Sequence, residues 1–189
     1  MRDKSSDATL KRKSMKQEIN QIIRQVRDSL APTYQALREA LPISTPPVSV
    51  SRLEAHLANQ VNAAREQMGL PRLTFDRQLA AVSRAHSAEM CGLDYFEHES
   101  PTPGLQRPSD RYQAGFGQRA SYISENIAQS VGSEWRSLSL ERAEKAHNGL
   151  MDSPGHRANI LAATPTRMGI GIVANANGDL WITQMFSRP

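Results

Sequence analysis

The sequence has a single cysteine, Cys91, among 189 residues. One thiol excludes an intramolecular disulfide framework and a cysteine-rich zinc site, so the chain must be stable by packing alone. Aromatic residues are scarce at 5%, and the hydrophobic share is 39%. A packed core is feasible with that composition, but the whole chain need not belong to it. No apolar run approaches the roughly 18 residues that a membrane-spanning helix requires. The opening stretch Met1-Arg-Asp-Lys-Ser-Ser-Asp7 has no apolar segment and does not read as a signal peptide. An intracellular protein, a leaderless export route and a lost leader all remain open. There is no Gly-x-Ser-x-Gly elbow. The Gly169-Ile-Gly171 pair lies in a strand-like run without the following helix that a dinucleotide site needs.

The net charge is +4. Residues 1–47 hold nine basic and five acidic groups, and the remainder holds fourteen of each. All the excess charge therefore belongs to the N-terminal quarter. The rest does not have the composition of a nucleic-acid-binding globule, so no nucleic-acid partner is expected.

In that basic arm Met15, Ile19, Ile22, Ile23, Val26 and Leu30 recur at helical spacing. Pro32 opens a second short helix with Tyr34, Leu37 and Leu41. These helices suit docking on the main domain or self-association through residues 15–41, and a membrane-surface role is the alternative. Pro42 to Val48 reads as a Pro-rich linker. Ser51-Arg-Leu-Glu54 has capping-box form and predicts a helix with Leu53, Leu57, Val61 and Ala64 on one face, ending near Gly69. Asp76 predicts the start of another, through Leu79, Val82, His86 and Met90 to about Cys91. A loop from Ser100 to Gly117 contains a short helix around Arg107–Ala114. Ile123–Ala128 is a strand candidate. Ser139 opens a helix to about Met151, and Ser153-Pro154 opens the next. Two strand-like runs, Met168–Ala174 and Leu180–Phe186, flank Asn177-Gly178, a hairpin signal. The class is α+β, with helices packed on a small antiparallel sheet.

Six segments in order resemble one family. They are Val61-Asn-Ala-Ala-Arg-Glu-Gln-Met-Gly-Leu70, Ala85-His-Ser-Ala-Glu-Met90 and Phe96-Glu-His-Glu-Ser-Pro101, followed by Ser124-Glu-Asn-Ile-Ala128, Ser153-Pro-Gly-His-Arg-Ala-Asn-Ile-Leu161, and Gly169-Ile-Gly171 with Trp181-Ile-Thr-Gln-Met-Phe186. The chain from about Leu53 to Phe186 resembles the CAP superfamily (cysteine-rich secretory proteins, antigen 5, pathogenesis-related 1) in its short bacterial form. The resemblance implies an α-β-α sandwich over residues 48–189, with residues 1–47 as an N-terminal helical extension. It also implies a secreted or cell-envelope setting. It implies a cleft in which His98, Glu125, His156 and Ser153 bind ligand and the first three can hold a divalent metal such as zinc. A further acidic place of the family falls at Ser153, next to Asp152, and Leu150 stands where bacterial relatives usually carry Trp.

Two imidazoles and a carboxylate suit a zinc ion with an open position, and equally suit a metal-free polar cluster. His156 lies in the first turn after Ser153, where the helix end favours a neutral ring. The function expected from the resemblance is a binding or interaction module for a small-molecule, lipid or protein ligand. A metal-dependent hydrolase or protease using His98, Glu125 and His156, and an assembly protein acting through its N-terminal helix, are the alternatives. His86 reads as a structural histidine or a companion of the cleft. His56 and His147 read as surface residues, Cys91 as a small buried hydrophobe, and Trp135 as a loop anchor. Trp181, Ile182 and Phe186 read as core. Arg107, Arg111 and Arg119 read as a solvated loop face, with a cleft rim as the alternative.

Overall fold

The computed structural model describes residues 48–131 and 138–189. The expectations for the basic arm, its linker and Trp135 lie outside the described residues. Helix α1 spans Val50–Gln67, strand β1 Thr74–Phe75, α2 Arg77–Leu93, α3 Pro108–Phe116 and β2 Tyr122–Ser130. Then come α4 at Leu140–Asp152, α5 at Pro154–Ile160, β3 at Arg167–Ala174 and β4 at Leu180–Arg188. The sheet order is β1-β3-β4-β2, parallel only between β1 and β3. The two-residue β1 is too short to carry a periodic signal in sequence.

Alternation along the strands divides the core into two layers. Met168, Ile170 and Ile172 of β3 and Leu180, Ile182 and Phe186 of β4 pack with Leu53, Leu57 and Val61 of α1 and Leu150 of α4. Residues one step out of phase face the other way. Met185 packs with Leu79 of α2 and Tyr112 of α3, and Trp181 packs with Met90 and Ile127. Helices thus cover both faces of the sheet. This is the α-β-α sandwich.

Helix starts follow the capping chemistry of the sequence in most places. Asp76 accepts from the N–H groups of Gln78 and Leu79, and Ser139 accepts from Arg142 N–H. The expected box at Ser51 is corrected: Ser49 is the cap and accepts from Arg52 N–H. Glu54 is buried instead, accepting from Arg84 at 2.9 and 2.6 Å and from the Ile172 N–H at 3.1 Å. A local motif was outcompeted by a long-range ion pair. Ser153 precedes α5 as expected, but its side chain makes no capping bond.

Arg65 lies fully buried on α1 and ties distant segments together. It donates to the carbonyls of Pro71, Ile160 and Ala162 at 2.9, 2.8 and 2.6 Å. Its charge therefore meets the C-terminal carbonyls of α5, where a cation is favoured. Burial nonetheless lowers its pKa from the ordinary value.

The two glycines of β3 are explained by α2. A Cβ at Gly169 would stand 2.3 Å from the Leu79 carbonyl carbon, and one at Gly171 would stand 2.0 Å from the Arg84 nitrogen. The helix backbone lies directly on the strand there. Ser83 and Ser87, one turn apart, donate to the carbonyls of Gly169 and Gly171 at 3.1 and 3.0 Å. Because backbone atoms form the obstruction, Gly171→Ala is expected to destabilise the domain by about 2–3 kcal/mol or more. Urea unfolding measures this, and an unchanged midpoint would show that α2 can move away from β3 freely.

Candidate functional site

The site is assembled on the α2/α3 face of the sheet, near the middle of β2. Glu125 enters it by strand parity, since it shares a face with Ile127. Its side chain is 1% exposed, and both oxygens are engaged. Arg111 donates from Nη2 to Oε2 at 2.7 Å, and His98 approaches Oε1 through Nδ1 at 3.0 Å. An ionised carboxylate this deep needs a fixed counter-charge, and Arg111 supplies it.

Arg111 does more than neutralise. Its Nη1 donates to the carbonyls of Leu105 and Gln106, both at 3.0 Å, and Nη2 also reaches the His98 carbonyl at 3.1 Å. One guanidinium therefore holds the long loop, the His98 backbone and Glu125 together. The expectation of a solvated loop face is corrected for Arg111, which is 4% exposed. Arg107 and Arg119 do remain on the outside.

His98 is itself about half exposed. The carboxylate accepts at Nδ1, so the neutral ring carries its proton there and leaves the Nε2 lone pair free. The Glu125 bond raises the His98 pKa from the ordinary value, over the opposing effect of burial. His156 behaves oppositely: burial, and then the nearness of His98, lower its pKa. The physical cause differs from the helix-end effect expected from sequence. On acidification His98 thus takes up its proton before His156 does.

Two asparagines position His156. Asn126 Nδ2 donates to the His156 carbonyl at 3.1 Å and to Gln184 Oε1 at 3.3 Å. Asn159 Nδ2 returns to Asn126 Oδ1 at 2.9 Å and to the Glu125 carbonyl at 3.2 Å. This clamp fixes α5 against β2. Ser153 lines the same groove as His156, whereas Asp152 is exposed and does not line it. Leu150 is buried against the main core and also borders the groove.

Behind Glu125 lies a second polar layer. His86 is buried, with Nε2 3.2 Å from the Glu97 carbonyl and 3.9 Å from Glu125 Oε1. The carbonyl contact selects the Nε2–H tautomer. Its Nδ1 stands 3.5 Å from Glu89 Oε2, without hydrogen-bond geometry. Burial, chiefly, lowers the His86 pKa. Burial would by itself raise the Glu89 carboxyl, but hydrogen bonds from Thr102, Tyr95 and Ser100 together hold it below the ordinary value. Tyr95 is pushed up to about 12 by burial and by Glu89. Cys91 is partly buried, and burial raises its thiol pKa, followed by Asp179 and Asp94.

The remaining histidines correct the sequence reading. His147 is buried at 5% exposure, and burial, then His56, lower its pKa. His56 is partly buried, 3.1 Å from Glu144 Oε1. Neither is a surface residue of the ordinary kind. Among the described residues no group of three or more His, Cys, Asp or Glu side chains is arranged to hold a metal ion.

Fold and site together define an α-β-α sandwich whose cleft carries two histidines and an arginine-held glutamate. The model of the CAP family, described as the cysteine-rich secretory protein family, matches residues 58–186, and the chain belongs to that family. The chain is 34% identical over 142 residues to the uncharacterized protein YkwD of Bacillus subtilis, covering 75% of this chain and 50% of the relative. A crystal structure of an extracellular protein containing an SCP domain from Bacillus anthracis is similar at a TM-score of 0.61 and 28% identity, over 77% of this chain and 45% of that one. An outer surface protein of Borrelia burgdorferi shares the fold at a TM-score of 0.62 and 15% identity, over 76% of this chain and 97% of that one. The chain thus spans about half the length of the Bacillus subtilis protein.

The opposite shifts of the two cleft rings are directly measurable. In an NMR titration of the imidazole signals, His98 is expected to titrate above the ordinary histidine value and His156 below it. Glu125→Gln should bring the His98 midpoint down, because the main stabiliser of its charged form is gone. A His98 midpoint unchanged by that substitution would contradict the assigned hydrogen bond.

The same shifts set the pH dependence of stability. His98, with a raised pKa, contributes stability that is complete in acid and is lost as pH rises through its folded midpoint. His86, His147 and His156, with lowered values, contribute stability that is present above the unfolded value of about 6.5 and lost as pH falls below it. Three groups act against one, so the urea midpoint should fall on acidification through that value. A midpoint that rises instead would show that the buried rings are solvated.

Proposed function

We propose that the chain is a CAP-type ligand-binding module whose cleft offers two neutral imidazoles, His98 Nε2 and His156, to a divalent cation or to a small-molecule or lipid ligand. One observation carries this reading: Glu125 bonds His98 at Nδ1, which leaves Nε2 unshared on a ring that is half exposed. The donor set fits a weak cation site. A carboxylate that fixes the far nitrogen of a histidine is a familiar supporting partner of histidine–metal bonds. Both Glu125 oxygens already have partners, so His98 and His156 are the direct donors and the remaining positions would fall to ligand or water.

A bound zinc ion would supply Lewis acidity there. This chain's own contribution is to hold His98 in one tautomer, keep His156 unprotonated and cover the carboxylate. Those are properties of a binding site. Both Glu125 oxygens are occupied, one by Arg111 and one by His98, which leaves no free carboxylate oxygen to activate a water, and this favours binding over the metal-dependent hydrolase reading. The extracellular and outer-surface relatives support an exported or envelope setting for this chain as well.

Calorimetric titration with zinc tests the proposal. Wild type is expected to bind one ion weakly, and His98→Ala or His156→Ala should abolish the heat. Glu125→Gln should weaken binding by about 10–100-fold, the usual effect of removing such a supporting partner. Binding should tighten as pH rises through the His98 midpoint, since that proton competes with the metal. Absence of heat with wild type, or equal heat with both histidine variants, would overturn the cation site.

A further inference from the structure

Among the described residues strand β2 is an edge of the sheet, paired with β4 alone. Its hydrogen-bond phase follows from its neighbours. Thr166 N–H takes the Ser187 carbonyl at 3.0 Å, so odd-numbered β4 residues turn toward β3 and even-numbered ones toward β2. The pairing of Ser124 with Phe186 and Asn126 with Gln184 then sends the backbone groups of the odd β2 residues outward. Asn159 Nδ2 meets the Glu125 carbonyl on that outer side, in agreement.

Ile127 and Gln129 share this phase. Each presents an N–H and a C=O away from β4, and no hydrogen bond among the described residues reaches them. Two such residues repeat at about 6.7 Å, the dyad spacing of a strand. Unpaired backbone groups of this kind are a template for another extended chain.

A groove of about 400 Å³ runs beside this edge. Its lining includes Ile127 to Ser130 on the strand side, Ala146 and Gly149 on the α4 side, and Ser153 and His156 at the cleft. A Cβ at Gly149 would meet nothing within 4 Å, so the helix leaves space there. Phe96, a large hydrophobic that is 38% exposed, also borders the groove. The elements of a peptide site are therefore together: a row of backbone partners, room for side chains, and an apolar contact.

We infer that the ligand of this cleft is an extended polypeptide segment, which adds as a strand to Ile127–Gln129 and brings its backbone past Phe96 to His156. This rests on the cleft reading above and names its ligand class. Strand addition gives affinity through the main chain and selectivity through alternate side chains. Phe96 and Leu150 favour an aliphatic residue at their end of a groove whose lining also includes Arg142 and Lys145.

The test uses the ¹⁵N-labelled full chain and the probe acetyl-Thr-Val-Thr-Val-Thr-amide, titrated to about 5 mM because short peptides bind weakly. The amide signals of Ile127 and Gln129 are expected to move downfield and saturate. The same peptide N-methylated at every residue should leave them in place. Gln129→Pro removes an outward N–H, which an edge strand tolerates, and should weaken binding by about fivefold to tenfold. Gly149→Leu fills the groove with a good helix former and should abolish binding.

No movement at the highest concentration, or equal movement with the N-methylated peptide, overturns the inference. Shifts that follow protein concentration without peptide would assign the edge to a second copy, and also overturn it. If zinc still moves the His98 and His156 ring signals while the peptide does nothing, the strand site fails and the cation site stands.

Discussion

Glu125 sits on the sheet with its carboxylate removed from water, and an anion in that position persists only beside a fixed cation. Arg111 is that cation, and its other donors extend the constraint to the loop carbonyls of Leu105 and Gln106 and to the His98 backbone. The long connection between α2 and β2 is thereby tied to the site rather than left to solvent. With Oε2 taken by Arg111, Oε1 faces His98 and selects its tautomer. A charge-burial requirement in the core thus sets the chemistry displayed at the surface.

The sandwich makes this possible by bringing layers unusually close. Glycines at 169 and 171 let the α2 backbone rest on β3, with Ser83 and Ser87 satisfying the contact. That fixes α2, which carries His86 and Glu89 behind the site. From the opposite direction, Arg65 holds the end of α5 and the Asn126–Asn159 pair holds its side against β2. His156 is therefore placed by backbone and amide bonds, while its ring faces other constraints: partial burial and a neighbouring imidazole. Position and protonation are set by different groups.

Much of the architecture was legible because its causes are local. Asp76, Ser139 and the Asn177-Gly178 turn act within four residues, and the strand alternation of Leu180 to Phe186 reports its two buried faces. The family segments likewise pointed to His98, Glu125 and His156 as neighbours in a cleft, and the first two share a hydrogen bond. What escaped was decided at long range. Glu54 looked like a cap but pairs with Arg84, 30 residues away, and Arg111 looked like a loop cation but pairs with Glu125, 14 away. Asn159 reaches Asn126 across 33 residues. Ala143, His147 and Leu150 follow one helical stripe that marks His147 as buried, although polar residues flank it in sequence.

The central claim is that a buried, arginine-held carboxylate fixes the proton of His98 on Nδ1. Long-range ¹H–¹⁵N correlation of the imidazole nitrogens, recorded above the His98 midpoint, reads the tautomer without ligand, metal or mutation. A protonated Nδ1 with an unprotonated Nε2 is the result this account predicts. A ring carrying its proton on Nε2 would contradict it, because the nitrogen assigned to the cleft would then be a donor with no lone pair to offer.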